Sequence, residues 1–370
     1  MIIGIQKEIK RDENRVAITP AGVDVLRRHG HEVHIETGAG IASGFADSDY
    51  AGAGARMVDT PDGIFDQAEM LLRVKEPQPS EVDQLRENQI YFAYLHLATS
   101  AQVTRALMHR GVVAIAYETV QTADGSTPLL IPSSEVSGPM AIQEGAKYLE
   151  MAQGGNGVLL GGVPGVDPAT VLIIGGGVVG FSAAKMACGL GANVHVLDTD
   201  LDRLRYLSDV MPSNCFTSMS NPTTIRDLLA KADLVVGAVL VPGGLCPVLI
   251  TRKMLGLMKP GAVIIDVAID QGGCVETARE TTHSDPTYTV DGIVHYAVSN
   301  MPGALPRTSS VALANATLPY VLQIADKGWR RAMRDNPELA RGANVARGRV
   351  THKGVAAALG MDHSPIEAQF

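Results

Sequence analysis

Three closely spaced glycines carry the most direct chemical signal in this sequence. Gly175, Gly177 and Gly180 form a G-x-G-x-x-G run that immediately follows the apolar stretch 170–174. In such a run the first glycine permits a tight turn, the second lets a pyrophosphate approach the backbone, and the third lets helix and strand pack closely. The N-terminus of the following helix offers free N–H groups and partial positive charge to phosphate. The run therefore predicts a dinucleotide site.

An acidic residue at the end of the next predicted strand indicates which dinucleotide is bound. Asp198 lies eighteen residues after Gly180. A carboxylate there can accept hydrogen bonds from both ribose hydroxyls of NAD, and its charge would repel the 2′-phosphate of NADP. NAD is therefore the predicted cofactor. The nearby Arg203 keeps NADP as an alternative cofactor. The simpler interpretation of Arg203 is a solvated charge on a helix face.

Five further residues could handle a substrate beside a nicotinamide. A guanidinium such as Arg15 can grip a carboxylate with two hydrogen bonds, and Lys75 can add a point charge. His96 ends an apolar run and titrates in the range of a general acid–base. Asp270 follows the predicted strand 263–267 at the ligand edge of a parallel sheet, and Asp266 competes for that role. On pattern alone, the simpler interpretation is that Arg15 and Lys75 are surface charges and that His96 is a structural histidine. Together with the glycine run, the pattern therefore indicates only an NAD-dependent oxidoreductase whose substrate is unknown.

Alternating strands and helices must position these residues, which implies mostly parallel sheets in an α/β fold. Thr19 is a plausible helix N-cap with Pro20 at the first helical position. Longer helices are predicted at 134–152 and 311–325. The predicted strands lie at 1–5, 31–36, 70–74, 90–96, 112–117, 170–174, 195–197, 234–239, 263–267 and 292–298.

The order of these elements predicts two Rossmann-like domains, one of them discontinuous. A doubly wound NAD-binding domain, residues 129–308, is inserted in a substrate or catalytic domain made of 1–128 and 309–370. The long helices at 134–152 and 309–326 would be the crossings, and ligands favour clefts between domains. The polar tail beyond about residue 340 gives no usable signal.

Composition narrows the class of protein. The chain has 370 residues, 46% of them hydrophobic, which suffices for two domains. Its net charge of −8 argues against nucleic acid or an anionic membrane as a partner. Residues 234–251 are uncharged, but their glycines and prolines favour a buried strand and a loop over a membrane span. The N-terminus lacks the features of a signal peptide, so we expect a soluble cytoplasmic protein.

The cysteines also favour a reducing compartment. No two of the four have the two-residue spacing of a metal or redox motif, and buried free thiols are the default expectation. The cysteines are Cys188, Cys215, Cys246 and Cys274.

Many short motifs in order along almost the whole chain resemble those of bacterial NAD-dependent L-alanine dehydrogenase, within the alanine dehydrogenase/pyridine nucleotide transhydrogenase family. They are Gly4–Glu8, Arg15–Pro20, Val74–Pro77, Leu95–Leu97, Ala116–Asp124, Gly161–Gly165, Ala268–Cys274 and Asn300–Pro302. The resemblance implies reversible oxidative deamination of L-alanine to pyruvate and ammonium, a step of amino-acid catabolism. It assigns Arg15 and Lys75 to the substrate carboxylate, His96 to general acid–base catalysis and Asp270 to a second catalytic carboxylate.

The resemblance also implies a set of cofactor contacts and an assembly. The subunits would form a homohexamer. We expect no metal, because Gln323 and Lys327 stand where some relatives carry an acid and a histidine on the last long helix. Besides the glycine run, the expected NAD contacts are Ser134, Val178, Val179, Asp198, Arg203, Ser220, Val239, Leu240, Val267, Ala268, Ile269, Asp270, Arg279, Val298, Ser299, Asn300 and Met301.

Two other functions fit parts of this pattern. The NAD(H)-binding segment of a proton-translocating transhydrogenase resembles the same family, but it would not need Arg15, Lys75, His96 and Asp270 together. A dehydrogenase of a larger amino acid such as lysine would differ in the size of its pocket, which a single sequence does not show.

Overall fold

The chain folds into two compact units in a computed structural model that describes residues 1–239 and 245–370. The first unit comprises Met1–Ser133 and Leu305–Phe370, and the second comprises Ser134–Ala304. The second unit is thus an insertion in the chain of the first. Both units have an α/β fold.

The strands of the described residues are short, and we number them in chain order. They are β1 (Ile2–Ile5), β2 (Glu32–Glu36), β3 (Arg56–Val58), β4 (Met70–Leu72), β5 (Ile90–Ala93), β6 (Val113–Ala116), β7 (Thr170–Ile174), β8 (Asn193–Asp198), β9 (Cys215–Met219), β10 (Leu234–Gly237), β11 (Val263–Asp266), β12 (Thr287–Val290), β13 (Ile293–Tyr296), β14 (Ala343–Ala346) and β15 (Arg349–Val350).

The α-helices of the described residues are numbered in the same way. They are α1 (Pro20–Arg28), α2 (Asp47–Gly52), α3 (Pro61–Gln67), α4 (Ala101–Arg110), α5 (Ile131–Tyr148), α6 (Val178–Gly189), α7 (Leu201–Val210), α8 (Pro222–Leu229), α9 (Arg252–Leu255), α10 (Pro306–Lys327), α11 (Trp329–Asp335), α12 (Pro337–Arg341) and α13 (Lys353–Leu359). None is both long and apolar enough to cross a membrane among the described residues.

The sheet of the second unit has the strand order of a doubly wound dinucleotide-binding fold. The order is β12-β13-β11-β10-β7-β8-β9, and only the β12–β13 pair is antiparallel. Read from β9 to β13, the six parallel strands follow the order 3-2-1-4-5-6. The order reverses between β7 and β10, and ligands bind at such a point, outside the carboxyl ends of the strands.

The sheet of the first unit repeats this order and extends it. Its strands run β15-β14-β6-β5-β4-β1-β2-β3, so β3 to β6 again follow the order 3-2-1-4-5-6 with parallel pairing. β14 and β15 add an antiparallel edge beside β6. The predicted α/β class with two Rossmann-like domains is therefore confirmed.

Several predicted boundaries were wrong. The strand predicted at 90–96 ends at Ala93, because the chain turns into a left-handed conformation at His96. The helix predicted at 134–152 begins at Ile131 and ends at Tyr148, which puts Pro139 in its interior. The tail beyond residue 340, whose sequence gave no usable signal, is folded: Val345 is buried, and the tail supplies β14, β15 and α13.

Candidate active site

The Arg15 guanidinium is buried and locked in a two-pronged ion pair. Glu13 accepts from Arg15 Nη2 at 2.6 Å and from Arg15 Nε at 2.8 Å, and it also accepts from the Arg15 backbone N–H at 3.0 Å. Burial alone would raise the pKa of Glu13, but the charge and hydrogen bonds of Arg15 outweigh burial and lower this pKa to about 2. Glu13 therefore stays ionised and holds Arg15 in one orientation.

The backbone next to Arg15 is fixed from inside the first unit. Val16 is fully buried, and its N–H donates to Ser310 Oγ on α10 at 3.0 Å. Thr19 begins α1 by accepting from the Gly22 N–H through its hydroxyl. Because both ends of this short segment are anchored, the position of Arg15 depends on the fold of the unit rather than on a free loop.

Lys75 follows β4, and a buried ionic network stabilises the chain immediately before it. The Arg73 guanidinium donates to Glu8 at 3.0 Å and to Glu81 at 2.9 Å, and its side chain is completely buried. The Tyr91 hydroxyl donates to the Lys75 carbonyl at 3.0 Å. A buried charge is tolerated only when it is paired in this way, so the network fixes the end of β4 from which Lys75 projects.

His96 has a strained backbone that a carboxylate supports. Its φ of 47° lies in the left-handed region, which costs of order 1–3 kcal/mol for a non-glycine residue. Glu118, just after β6, accepts from the His96 N–H at 2.6 Å and from the Leu95 N–H at 3.2 Å. Burial raises the pKa of Glu118, while these N–H groups act in the opposite direction. The carboxylate thus holds the turn that presents the imidazole.

The imidazole of His96 lies among cations. Burial and then the positive charges of Lys75, Lys10 and Arg15 lower the pKa of His96 to about 3. The side chain also reaches solvent, so water screens part of this effect. Because the pKa of His96 is lowered, the ring is neutral at neutral pH, and one of its nitrogens can accept a proton.

The first unit therefore gathers three of the predicted residues at the carboxyl ends of its strands. Arg15, Lys75 and His96 follow β1, β4 and β5, and the charges of the two cations both act on the imidazole. Two cations beside a neutral base can bind an anionic substrate and move a proton on it.

Two glycines of the second unit sit where no side chain could fit. Gly175 follows β7 with φ +106°, and a Cβ on it would lie 2.5 Å from the Ala238 carbonyl oxygen after β10. A Cβ on Gly180 would lie 1.8 Å from the Gly175 carbonyl oxygen. Gly177 is the N-cap residue just before α6 and has open space where its side chain would be. These observations fit the roles expected of the three glycines in holding a pyrophosphate at the strand reversal.

Asp198 and Arg203 both contact the glycine run. Asp198 accepts from the Gly176 N–H at 2.6 Å and from the Asp200 N–H at 2.9 Å. Arg203 Nε donates to the Gly176 carbonyl at 2.5 Å, and its guanidinium lies over the Tyr206 ring. A carboxylate therefore lies against the glycine run at the end of β8, and Arg203 is engaged with backbone and ring. This arrangement fits NAD.

The other predicted cofactor contacts follow the carboxyl ends of the same parallel strands. Ser220 follows β9, Val239 follows β10, the turn at 267–270 follows β11, and the segment 298–301 follows β13. Ser134 is the first residue of the second unit. Arg279 is exposed and covers the Tyr288 ring at 4.2 Å. Leu240 lies outside the described residues.

The structure distinguishes the two aspartates that competed for one role. Asp266 is buried, and its carboxylate accepts from the N–H groups of Ala268, Cys274 and Val275 at 2.9–3.2 Å. Its carboxylate thus organises the turn. Asp270 is exposed on that turn and accepts from the Asn300 N–H at 3.3 Å. Of the two, Asp270 is the one in reach of a ligand.

Gln323 and Lys327, which stand where some relatives carry an acid and a histidine, both bind other side chains. Gln323 accepts from Asn336 Nδ2 at 3.0 Å, and Lys327 pairs with Asp335 at 2.7 Å. Across residues 1–239 and 245–370, no group of three or more His, Cys, Asp or Glu side chains is arranged to hold a metal ion.

Comparison with known proteins identifies the family. Residues 4–137 match the alanine dehydrogenase/PNT N-terminal domain, and residues 141–353 match the alanine dehydrogenase/PNT C-terminal domain. The chain belongs to the alanine dehydrogenase/PNT family. Within this family it is 54% identical to an alanine dehydrogenase of Methanococcus maripaludis, with 99% of each chain covered. It is 54% identical to one of Bacillus subtilis, with 99% of this chain and 97% of that one covered.

Solved structures agree with the family assignment. An L-alanine dehydrogenase structure superposes with a TM-score of 0.94 at 49% identity, covering 97% of this chain and 99% of that one. A transhydrogenase from Sinorhizobium meliloti gives a TM-score of 0.80 at 24% identity, covering 95% and 99%, and shows the shared fold alone. The alanine dehydrogenase/PNT fold is thus common to proteins with different functions.

Sequence reasoning missed the two carboxylates that orient the site of the first unit. Glu13 holds the Arg15 guanidinium, and Glu118 holds the backbone of His96. Glu118 lies in one of the motifs that carry the family resemblance, which could have drawn attention to it. Glu13 stands two residues before Arg15, but an acid near an arginine in a loop carries no signal of burial.

Proposed function

We propose that this chain is an NAD-dependent L-alanine dehydrogenase. It converts L-alanine, NAD⁺ and water reversibly to pyruvate, ammonium, NADH and a proton. The observation that carries the proposal is identity above 50% over nearly the whole length to several curated alanine dehydrogenases. The group of Arg15, Lys75 and His96 in the first unit supplies the chemistry that this reaction requires.

The substrate carboxylate binds to the two cations. Arg15 is held by Glu13 through Nε and Nη2, so its position is fixed before the substrate arrives. A fixed guanidinium loses little freedom on binding and orients a carboxylate better than a mobile one does. Lys75 adds the second positive charge, and together they place Cα of alanine for reaction.

His96 moves the protons. Bound NAD⁺ would supply the hydride acceptor for Cα of alanine, and the substrate carbon left electron-poor would then be open to attack by water. Water adds to this carbon, and the neutral imidazole of His96 takes a proton from that water. In the reverse direction the same ring returns the proton. The Asp270 carboxylate stabilises the cationic imine and helps to activate water or ammonia.

The second unit binds NAD through the glycine run and Asp198. We assign the pyrophosphate to Gly175, Gly177 and Gly180 and the ribose hydroxyls to Asp198, with the remaining predicted contacts at the carboxyl ends of the strands. The charge of Asp198 disfavours the additional phosphate of NADP. The proposal includes a homohexamer without a metal ion, located in the cytoplasm.

The alternative is a cofactor-carrying segment of a transhydrogenase, which the shared fold makes worth testing. The deciding experiment follows NADH absorbance with purified protein, NAD⁺ and a panel of L-amino acids at alkaline pH. The proposal predicts strong NADH formation with L-alanine and little with L-lysine or D-alanine. NADH binding without formation of NADH from any amino acid would refute it and favour the alternative.

A further inference from the structure

Two buried serines bracket the backbone of Arg15 in the first unit. Ser310 Oγ, on α10, accepts from the Val16 N–H at 3.0 Å, and the Ser43 hydroxyl donates to the Asn14 carbonyl at 3.0 Å. The two hydroxyl oxygens lie 3.0 Å apart, and both side chains are completely buried. The two serines therefore connect the peptide group before Arg15 to the peptide group after it.

The numbers of donors and acceptors fix the direction of these hydrogen bonds. A hydroxyl has one proton, and the proton of Ser43 goes to the Asn14 carbonyl, because a carbonyl can only accept. Ser310 must therefore donate the proton between the two hydroxyl oxygens, while its own oxygen accepts the Val16 N–H. Three hydrogen bonds thus run in one direction, and bonds aligned in this way strengthen one another. We call these three hydrogen bonds the serine bridge.

The two serines are held at their spacing by a contact between their own elements. Ser43 is the last residue of the 3-10 turn Ile41–Ser43. Arg307, one turn before Ser310 on α10, donates to the Ser43 carbonyl at 3.4 Å, and its guanidinium lies 4.2 Å from the centre of the Phe45 ring. The contact of α10 with this turn therefore sets the distance between the two hydroxyls.

The serine bridge and Glu13 hold different parts of Arg15. Glu13 accepts from the guanidinium, but it stands two residues away in the same segment and would move together with Arg15. Ser43 and Ser310 belong to segments that are distant in sequence, and they bind the backbone from which the side chain projects. The ion pair therefore orients the guanidinium, and the serine bridge ties this segment to the fold of the unit.

We propose that Ser43 and Ser310 are positioning residues, which set the affinity for the substrate carboxylate by fixing the backbone of Arg15. The proposal rests on the proposed function, in which Arg15 binds that carboxylate. Both hydroxyls bond to backbone groups and to each other, so they act through Arg15 rather than on the substrate. Carboxylate binding is made in the ground state and in the transition state alike, so its weakening raises KM more than it lowers kcat.

The test compares full-length Ser310→Ala, Ser43→Ala and the double variant with the wild type and with Thr317→Val. Thr317 is the matched control, because it is also a buried hydroxyl residue of α10 but donates to the Ala314 carbonyl of its own helix. Steady-state kinetics of pyruvate amination give kcat and the KM values for pyruvate and ammonium. Hydrogen-exchange mass spectrometry of peptides covering residues 13–18 reports the protection of the Val16 N–H.

We expect Ser310→Ala to raise the KM for pyruvate roughly tenfold, since a displacement of about 1 Å can cost up to about a hundredfold. Ser43→Ala should raise it by a smaller factor, because the Val16 N–H keeps its acceptor. The double variant should raise it by less than the product of the two single factors, because both single variants break the same bond between the serines. The KM for ammonium and the affinity for NADH should not change. Residues 13–18 should exchange faster in Ser310→Ala and normally in Thr317→Val.

An unchanged KM for pyruvate in the folded serine variants would overturn the proposal. An equal rise in Thr317→Val, or a double variant that matches the product of the single factors, would also overturn it. If Ser310→Ala folds poorly, Ser43→Ala alone decides the test of KM. If the wild type neither consumes NADH with pyruvate and ammonium nor forms it from any amino acid, the proposed function fails. Exchange of residues 13–18 at the wild-type rate in the serine variants would then refute the serine bridge separately.

Discussion

Replacing Glu13 by glutamine should destabilise the first unit by an amount that depends on pH. The carboxylate binds Arg15 in a pair that is almost completely buried, and its pKa falls from 4.5 to about 2. A difference of about 2.5 pKa units corresponds to roughly 3 kcal/mol of stabilisation by the ionised form. Glutamine also turns an NH₂ group toward the Arg15 Nη2 donor and leaves a buried charge without its counter-charge, so the loss should reach at least this value.

The sign of the pH dependence follows from the lowered pKa. Because the folded-state pKa lies below the unfolded value, the stabilisation is complete above about pH 4.5 and is lost as the pH falls through 2. At about pH 3.5, roughly 1.4 kcal/mol of it should already be gone. The difference between wild type and Glu13→Gln should therefore shrink on acidification.

Denaturant unfolding at a series of pH values, followed by circular dichroism, measures this difference. Asp24→Asn is the matched control, because Asp24 pairs with Arg28 at 2.8 Å on the exposed surface of α1 in the same unit. Exposed pairs contribute little, so the control should unfold like the wild type at every pH. A Glu13→Gln variant as stable as this control at pH 7, or a difference that grows on acidification, would refute the reasoning. The KM for pyruvate should also rise in Glu13→Gln but not in the control.

Three further changes test other parts of the site. His96→Ala should lower turnover by about 10²–10⁴ while NADH binding, measured by fluorescence, is retained; near-normal turnover would exclude the assignment. Lys75→Met should raise the pKa of His96 toward its usual value, because one of the cations that lower it is gone; an unchanged NMR titration of the ring would contradict this. Gly180→Ala should weaken NADH binding, because its Cβ would meet the Gly175 carbonyl at 1.8 Å, whereas Gly189→Ala has open space and should bind normally. Equal NADH affinities of Gly180→Ala and Gly189→Ala would contradict this prediction, because the start of α6 would then tolerate the displacement.

The sequence predicts the cofactor site of the second unit more directly than it predicts the group of charged residues in the first unit. The G-x-G-x-x-G run is local, since one turn, one strand and one helix start define it, and its context can be read from hydrophobic patterning. Asp198 follows from the end of the next strand. By contrast, Arg15, Lys75 and His96 come together only through the parallel pairing of β1, β4 and β5, which patterning does not specify. Their roles were available only from the family resemblance.

Tertiary contacts decide the features that the sequence did not reveal. β14 is a strand because it pairs with β6 and buries Val345, although its residues Ala343–Ala346 include no run of strong strand formers. His96 leaves the β conformation because Glu118 binds its N–H group from another strand end. Secondary-structure propensity describes a residue in isolation. The conformations of β14 and His96 are instead set by partners that are distant in sequence.

If Arg15 and Lys75 bind the substrate carboxylate as proposed, the proton affinity of His96 depends on the substrate. In the free protein, burial and the neighbouring cations keep its pKa low, so the imidazole is a weak base. A carboxylate bound by Arg15 and Lys75 adds a negative charge beside the same cations and must raise that pKa. A general base works best when its pKa approaches the operating pH. On the proposed assignment, carboxylate binding would therefore orient the substrate and would also prepare His96 to accept a proton. If the titration of Lys75→Met shows that this cation does not act on the ring, that coupling is absent.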